Sequence, residues 1–178
     1  MEANHPDIQS LADAAEAFCA HWFHRNGHGQ LRVAVGKPGC GKTHVGRKVW
    51  EWARAVSLSR WEQQPATDYI PSIVFTPWAS VASPEKMSGA EFADWMAEID
   101  SATMIVVDDI GTETDQYRTG VPTQRLCQLL NRCESKWLWL TTNKAPEHWA
   151  QAWDIRVEDR LLAGHVFTSS APSYRSER

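Results

Sequence analysis

Residues 36–43 read Gly-Lys-Pro-Gly-Cys-Gly-Lys-Thr, and this run restricts the folds open to the chain more than any other feature of its sequence. It matches the pattern G-x-x-x-x-G-K-[ST] at every fixed position, and that pattern marks a phosphate-binding loop. The glycines let the backbone curl so that its N–H groups point inward at phosphate oxygens. An apolar run at 31–35 precedes the motif and a helical pattern follows it. The motif therefore predicts a nucleotide site between a strand and a helix.

Two side chains of this loop have expected roles in the chemistry. Lys42 is expected to reach the β- and γ-phosphates of ATP, and the Thr43 hydroxyl is expected to ligate Mg²⁺. The N-terminus of the following helix adds partial positive charge. Lys37 and Cys40 stand at variable positions of the pattern and are given no individual role. The residues expected to contact the nucleotide are Gly36, Pro38, Gly39, Cys40, Gly41, Lys42, Thr43 and His44.

Short apolar runs alternate with helical patterns along the chain. Strands are predicted at 31–35, 73–76, 104–108, 137–142 and 166–168, and helices at 7–26, 42–55, 89–100, from 122 onward and at 153–163. The segment 56–71, which contains Pro65 and Pro71, is predicted to be a loop. This alternation predicts a parallel sheet covered on both faces, whose ligands bind beyond the carboxyl ends of the strands.

Two acidic residues follow the apolar run at 104–107. Asp108 is expected to hold Mg²⁺, directly or through water, and Asp109 to orient and polarise the attacking water. Strands often end in Asp, so the pair alone is a weak motif. The phosphate loop upstream is what makes a role in metal binding and hydrolysis convincing. Many hydrolases carry Glu at the second position, and the shorter side chain of Asp109 predicts slow turnover.

A further strand ends in the polar run Thr-Thr-Asn at 141–143. If this strand lies beside the acidic one, Asn143 is expected to hydrogen-bond the γ-phosphate or the attacking water. The other interpretation is a polar strand-to-loop turn with no role in the chemistry.

Arg156 and Arg160 are four residues apart, so they share a face of the last predicted helix. One interpretation is a solvated face paired to Glu158 or Asp159. The other is an arginine finger, delivered to the nucleotide of a neighbouring subunit, where it stabilises charge in the transition state.

Composition narrows the class of protein further. The 178 residues suit one domain. The formal charge is −4, so any contact with DNA requires a local patch or an oligomer. The apolar runs are far shorter than the roughly 20 residues of a membrane span, and no secretory signal opens the chain. With four cysteines that form no Cys-x-x-Cys pair, we expect reduced thiols in the cytoplasm. The ten tryptophans are expected to serve mainly in packing rather than in base stacking.

Taken together, four segments resemble the AAA+ ATPases, and within them the DnaC-type helicase loaders and the IstB-type transposition helpers. The segments are GKPGCGKTHVG (36–46), VVDDIGTE (106–113), LTTN (140–143) and RVEDRLLAG (156–164). The loop is common to many families, whereas the four segments in this order are more specific. The resemblance implies an α/β P-loop NTPase fold, a three-layer sandwich with a five-stranded parallel sheet in the order 5-1-4-3-2 between helices.

The resemblance also implies roles and partners. It assigns Lys42 and Thr43 to phosphate and Mg²⁺, Asp108 and Asp109 to metal and water, Asn143 to a sensor position, Arg160 to a finger acting in trans, Arg156 to its interface companion and Arg175 to nucleotide sensing. It implies a homo-oligomeric ring or filament, a helicase or a transposase as partner, and single-stranded DNA as a further partner. Because the loop starts at Gly36, we expect a lead-in helix at 1–30 and an ATPase core at 31–178, without a separate helicase-binding domain.

Several functions therefore remain open at this point. The leading hypothesis is an ATP-driven loading or remodelling factor that acts on DNA or a DNA-bound partner in replication, with a transposition helper as its close alternative. A small-molecule kinase has a similar length and the same loop, but no Arg-rich lid segment is evident and the Thr-Thr-Asn run has no role there. A regulatory module that binds nucleotide with little hydrolysis is the third hypothesis, and Asp109 in place of Glu favours it.

Overall fold

The computed structural model describes residues 5–24, 29–63, 72–113, 115 and 118–173. Its helices are α1 (Pro6–His24), α2 (Lys42–Gln63), α3 (Gly89–Ser101), α4 (Val121–Arg132), α5 (Trp149–Ala152) and α6 (Ile155–Leu162). Its strands are β1 (Leu31–Gly36), β2 (Ser72–Pro77), β3 (Ala102–Ile110), β4 (Trp137–Thr142) and β5 (His165–Ser169). Within this described part of the chain, no helix is both long and apolar enough to cross a membrane.

The five strands form one parallel sheet in the order β2-β3-β4-β1-β5. The predicted order 5-1-4-3-2 is therefore confirmed. Because β1 lies between β4 and β5, the strand that leads into the phosphate loop occupies the interior of the sheet. Its carboxyl end lies beside that of β4, and β3 follows next.

Side chains alternate between the two faces of the sheet and create two apolar layers. Val33 and Val35 of β1 face the layer that also holds buried residues of α3, α4 and α6. Ala34 faces the opposite layer, which holds the buried residues of α1 and α2. Helices α2 and α6 consequently lie on opposite faces of the sheet.

Aromatic packing attaches α1 to the sheet. Phe18 is fully buried, and its ring meets Trp137 and Trp139 of β4 edge-on, with centroids 5.4 and 5.5 Å apart. Edge-to-face pairs of this kind add about 0.5–1.5 kcal/mol beyond area burial. Among the tryptophan side chains that the structure describes, Trp22, Trp78, Trp95, Trp137, Trp139 and Trp149 are buried. Packing is thus their main role, and Trp52 on α2, 40% exposed, is the exception.

Two predicted boundaries were wrong. Residues 56–63 continue α2 instead of belonging to a loop, because half-buried Val56 and buried Ser57 extend the inward face of the helix; residues 64–71 lie outside the described part. The helix predicted at 153–163 begins two residues later, at Ile155, and the short helix α5 before it was not predicted. Asp154 sets this start, since its carboxylate accepts hydrogen bonds from the backbone of Arg156 and Val157 at 2.8 and 3.1 Å and so caps α6.

Candidate nucleotide-binding site

The sheet brings three separate sequence motifs to one edge. β1 runs into the loop that ends at Lys42, β3 carries Asp108 and Asp109 at its end, and Asn143 directly follows β4. Since parallel strands end at the same edge of a sheet, their polar ends meet there. The structure therefore brings the loop, the acidic pair and Asn143 together.

The phosphate loop adopts a backbone that depends on glycine. Gly39 and Gly41 have φ values of 84° and 98°, in the left-handed region that disfavours other residues. A Cβ atom at Gly39 would also collide with Ser173. Cys40 is fully buried and packs against Ile8 of α1 and Ala171, so its side chain serves the packing of the loop.

Lys42 is 5% exposed, and its ammonium group lies over the loop. Nζ donates to the carbonyl oxygens of Gly36 and Lys37 at 2.7 and 3.0 Å. It also donates to Oδ1 of Asn143 at 2.8 Å, across 101 positions of sequence. The cation of the loop is therefore linked directly to the end of β4.

Hydrogen bonds continue from Asn143 to the acidic pair. Asn143 donates through Nδ2 to Oδ1 of Asp109 at 2.7 Å. The Thr141 hydroxyl donates to Oδ1 of buried Asp108 at 2.6 Å and accepts from the backbone N–H of Asp109 at 2.8 Å. Sequence reasoning gave Thr141 no role. The available signal was its hydroxyl near the end of a strand neighbouring the acids.

Asp109 has an unusual backbone. The β3–β4 register shifts between Val107 and Ile110, so the acidic pair forms an irregularity in the ladder. Asp109 has a φ of 65°, and within the described residues Arg118 is the only other non-glycine residue with a positive φ. Asp tolerates this region better than most residues do. Bulges re-aim side chains, and the side chain of Asp109 lines the cavity beside the loop.

A cavity of about 880 Å³ extends from the phosphate loop between α1 and α2. This α1–α2 groove lies within the size range of ligand pockets. One wall is formed by Ile8, Ala12, Ala15, Glu16, Cys19 and Ala20 of α1, and the other by His44, Val45, Arg47, Lys48, Val49 and Trp52 of α2. Pro38, Gly39, Gly41, Lys42, Thr43, Asp109 and Asn143 close its loop end.

The start of α1 is tied to the segment that follows β5. Asp7 accepts hydrogen bonds from the Ser170 hydroxyl and backbone N–H, at 2.6 and 2.7 Å. These bonds, the hydroxyl first, lower the pKa of Asp7. The sequence carries no local signal for this contact, because the partners are 163 positions apart.

The donor set for a metal is Thr43 and Asp108, a hydroxyl and a carboxylate. Both are hard oxygen donors of the kind that Mg²⁺ prefers, and Mg²⁺ in nucleotide sites relies on few protein ligands, with phosphates and water completing its shell. Within the described residues, no group of three His, Cys, Asp or Glu side chains forms a dedicated metal cluster. The residues present fit Mg²⁺ bound together with a nucleotide.

Arg156 and Arg160 are not brought to this edge. Arg156 pairs with Asp154 at 2.7 Å, which corrects the expected partners Glu158 and Asp159, and the hydrogen bond and charge of Asp154 raise the pKa of Arg156. Arg160 donates only to the Arg156 carbonyl, at 3.1 Å, and forms no ion pair within the described residues. Neither arginine lines the α1–α2 groove. Arg175 lies outside the described residues.

A scan against protein-family models and a search of curated proteins found no match. Solved structures, in contrast, match most of the chain. The DnaC helicase loader has a TM-score of 0.70 at 14% identity, over 94% of this chain and 93% of that one. Domain III of the Thermotoga maritima replication initiation protein DnaA has a TM-score of 0.61 at 17% identity, and the match covers 96% of this chain and 65% of that one. A replication initiator DnaA bound to AMPPCP and single-stranded DNA has a TM-score of 0.54 at 14% identity, and the match covers 97% of this chain and 48% of that one.

This chain thus spans less than two thirds of the length of both DnaA chains. At such identities the similarity establishes the fold. The fold is an α/β P-loop NTPase domain, similar to that of the DnaC helicase loader.

Proposed function

We propose that this protein binds Mg-ATP at the phosphate loop, hydrolyses it, and uses the cycle to act on DNA or on a DNA-bound partner in replication. The observation that carries the proposal is the hydrogen-bond chain from Lys42 through Asn143 to Asp109. Residues from three distant segments meet there at one phosphate loop. If the loop were only a Gly-rich turn without a ligand, these polar side chains would have no reason to converge on it.

Each residue has a defined task in binding. The loop N–H groups, the start of α2 and the Lys42 ammonium hold the triphosphate. Thr43 and Asp108 would hold Mg²⁺, which would neutralise part of the charge of the phosphates. Thr141 keeps Asp108 in place through its 2.6 Å hydrogen bond.

Hydrolysis requires one water in line with the γ-phosphorus. Asp109 accepts a hydrogen bond from that water and orients its oxygen as the new P–O bond forms and the bond to the β-phosphate oxygen breaks. The proton of the water leaves through Asp109. Asn143 holds the Asp109 carboxylate at 2.7 Å and so fixes its direction.

Arg160 completes the site of a neighbouring chain. The α6 helix lies across the sheet from the α1–α2 groove, and Arg160 has no carboxylate partner within the described residues. A finger donated between copies uses two different surfaces, so it builds a ring or a filament instead of a two-fold dimer.

Two findings support a replication partner over a transposase. The similarity to the DnaC helicase loader covers nearly the whole of both chains. The DnaA structure, described as bound to AMPPCP and single-stranded DNA, shares this fold. A replicative helicase, with single-stranded DNA nearby, is therefore the proposed partner.

The test of the proposal is Mg-ATP binding and hydrolysis by the wild type, Lys42→Ala and Lys37→Ala. Lys42→Ala removes the buried cation of the loop and is expected to abolish tight binding and turnover. Lys37→Ala removes an exposed cation of the same loop but keeps its carbonyl, so it is the matched control and should behave as wild type. A folded Lys42→Ala protein that hydrolyses ATP at the wild-type rate would overturn the proposal.

A further inference from the structure

The backbone around Asp109 is held by side chains. The ladder between β3 and β4 is interrupted between Val107 and Ile110, so the polar backbone groups of this stretch leave the regular pattern of hydrogen bonds. Backbone N–H and C=O groups that are shielded from water need other partners when they leave a ladder. Four side chains supply such partners here, and they belong to Thr112, Glu113, Thr141 and Thr142.

Two of these partners come from the end of β4. The Thr141 hydroxyl accepts from the N–H of Asp109 at 2.8 Å. The Thr142 hydroxyl donates to the carbonyl oxygen of Ile110 at 2.8 Å and accepts from the N–H of Lys144 at 3.1 Å. The neighbouring strand thus fixes the backbone on both sides of the peptide that joins Asp109 to Ile110.

The other two partners follow Asp109 directly in the sequence. The Thr112 hydroxyl donates to the carbonyl oxygen of Asp109 itself at 2.8 Å. The Glu113 carboxylate accepts from the N–H of Gly111 at 2.7 Å through Oε2, and its Oε1 lies 3.5 Å from Nε1 of Trp153. Both residues belong to the segment VVDDIGTE, and the proposed chemistry gives them no task.

The turn that these side chains hold has an uncommon backbone. Gly111 has a φ of 86°, and a Cβ atom there would lie 2.7 Å from the side chain of Lys144 and 2.8 Å from that of Trp153. Asp109 also lies in the left-handed region, with a φ of 65° but without the freedom of glycine. Such a conformation persists only where the surrounding structure holds it. The direction of the Asp109 side chain therefore depends on these hydrogen bonds.

We propose that Thr112 and Glu113 are positioning residues, which hold the Asp109 carboxylate toward the attacking water. Thr112 fixes the carbonyl of Asp109 and Glu113 fixes the N–H of the turn, so together they oppose a return to extended backbone. Asn143 then donates at 2.7 Å to a carboxylate whose direction is already set. Neither positioning residue lines the α1–α2 groove, so both act through Asp109. The inference rests on the proposed function and adds the residues that keep its acid in place.

The first experiment follows the Asp109 carboxylate in the protein without nucleotide. Its carboxyl-carbon NMR signal is identified by its absence from the Asp109→Asn protein. The signal is expected to move in Thr112→Val and in Glu113→Ala. It should stay in place in Thr112→Ser and Glu113→Gln, because these variants keep a donor hydroxyl and an acceptor oxygen. An unmoved signal in Thr112→Val or Glu113→Ala would overturn the inference for that residue. If either variant fails to fold, Thr112→Ala or Glu113→Leu takes its place.

Two matched controls remove the same kinds of hydrogen bond elsewhere. Thr103→Val deletes a hydroxyl that donates to the carbonyl oxygen of Ser72 at 3.2 Å. Glu91→Ala deletes a carboxylate that accepts from the N–H of Ser88 at 2.7 Å. Both are expected to leave the Asp109 signal unchanged. A signal that moves as far in the controls would overturn the inference, because the change would then reflect a general loosening of the fold.

The second experiment measures single-turnover hydrolysis and equilibrium binding of Mg-ATP. Thr112→Val and Glu113→Ala are expected to hydrolyse ATP about 10-fold more slowly, or worse, because a misplacement of about 1 Å can cost on the order of 10²-fold. Their ATP affinity should match that of the wild type, and Thr112→Ser and Glu113→Gln should recover most of the rate. If Glu113→Gln lost as much as Glu113→Ala, the charge of Glu113 would matter instead of its hydrogen bond, and positioning would be wrong.

The two experiments separate the inference from the proposed function. A wild type that hydrolyses no ATP contradicts the proposed function, and the Asp109 signal still decides whether Thr112 and Glu113 hold the acid. With an active wild type, undiminished hydrolysis in Thr112→Val and Glu113→Ala would overturn the inference and leave the proposed function intact.

Discussion

The phosphate-loop edge of the sheet and the outer face of α6 each carry a cationic side chain, Lys42 and Arg160, but the surroundings of the two side chains differ. Lys42 is 5% exposed and donates to acceptors of the loop and of Asn143. Arg160 lies exposed on α6, with one hydrogen bond to a carbonyl of its own helix. In the proposed function, the chain forms the nucleotide-binding part of its site by itself and donates Arg160 to a neighbouring chain.

The largest expected effect separates the two arginines of α6. Arg160→Ala is expected to lower ATP turnover by about 10³-fold with ATP affinity unchanged, because a finger acts on charge in the transition state. Arg156→Ala should lower turnover less, since Arg156 is already paired with Asp154 at 2.7 Å. Turnover and equilibrium ATP binding, both measured at a concentration where the wild type is assembled, check this. Equal losses for the two variants would contradict the distinction.

The next effect concerns the binding half of the site. Asp109→Asn is expected to retain Mg-ATP binding and to lose about 10²-fold or more in turnover, because an amide cannot take the proton of water. Asn also tolerates the positive φ of this position, and its oxygen can still accept from Asn143. Asp94→Asn, an exposed acid of α3, is the control. Undiminished single-turnover hydrolysis would remove Asp109 from the mechanism.

These two regions also differ in how well the sequence predicts them. The phosphate loop at 36–43 and the acidic pair are short, contiguous motifs. They can therefore be recognised in the sequence without knowledge of the fold. Their meeting followed from the predicted strand order. Thr141 was missed, because its two hydrogen bonds depend on the register shift between β3 and β4, and local sequence carries no sign of that shift.

The wall of the groove was even less predictable. Asp7 and Ser170 meet only because α1 folds back over the end of β5, and the sequence near either residue gives no sign of this contact. Helix α5 was not predicted, because four residues are too few to show a helical hydrophobic period.

Thr141→Val sharpens the account of the strand ends. Losing the hydroxyl leaves the Asp109 N–H without its acceptor and is expected to cost about 1–3 kcal/mol of unfolding free energy. Freed from Thr141, Asp108 should also bind Mg²⁺ less well, so the variant should need more Mg²⁺ for ATP binding. Thr103→Val removes a hydroxyl that bonds the Ser72 carbonyl at 3.2 Å, at the other end of β3, and is the matched control. Urea unfolding and a Mg²⁺ titration separate the two effects; an unchanged Mg²⁺ requirement contradicts the role given to Thr141.

The smallest effect belongs to Asp7. Its pKa lies below the ordinary value of 3.8 because of the Ser170 hydrogen bonds. A depressed carboxyl pKa stabilises the fold above the unfolded value and loses that contribution as pH falls through the folded one. Asp7→Asn should therefore melt slightly below the wild type at neutral pH, and the gap should close in strong acid. Thermal melts across a pH series check this, and a gap that widens on acidification would contradict it.

The central claim is that the active site is shared, with Lys42 and Arg160 supplied by different chains. Its most direct measurement is the ATPase rate of Lys42→Ala and Arg160→Ala proteins, each alone and then mixed in equal amounts. Each is expected to be inactive alone, since the Lys42→Ala protein lacks the cation that binds the phosphates and the Arg160→Ala protein lacks the finger. Recovery of part of the wild-type rate on mixing is the predicted result, because mixed interfaces then combine an intact loop with an intact Arg160. A mixture as inactive as its components, from proteins that assemble together, would contradict the claim.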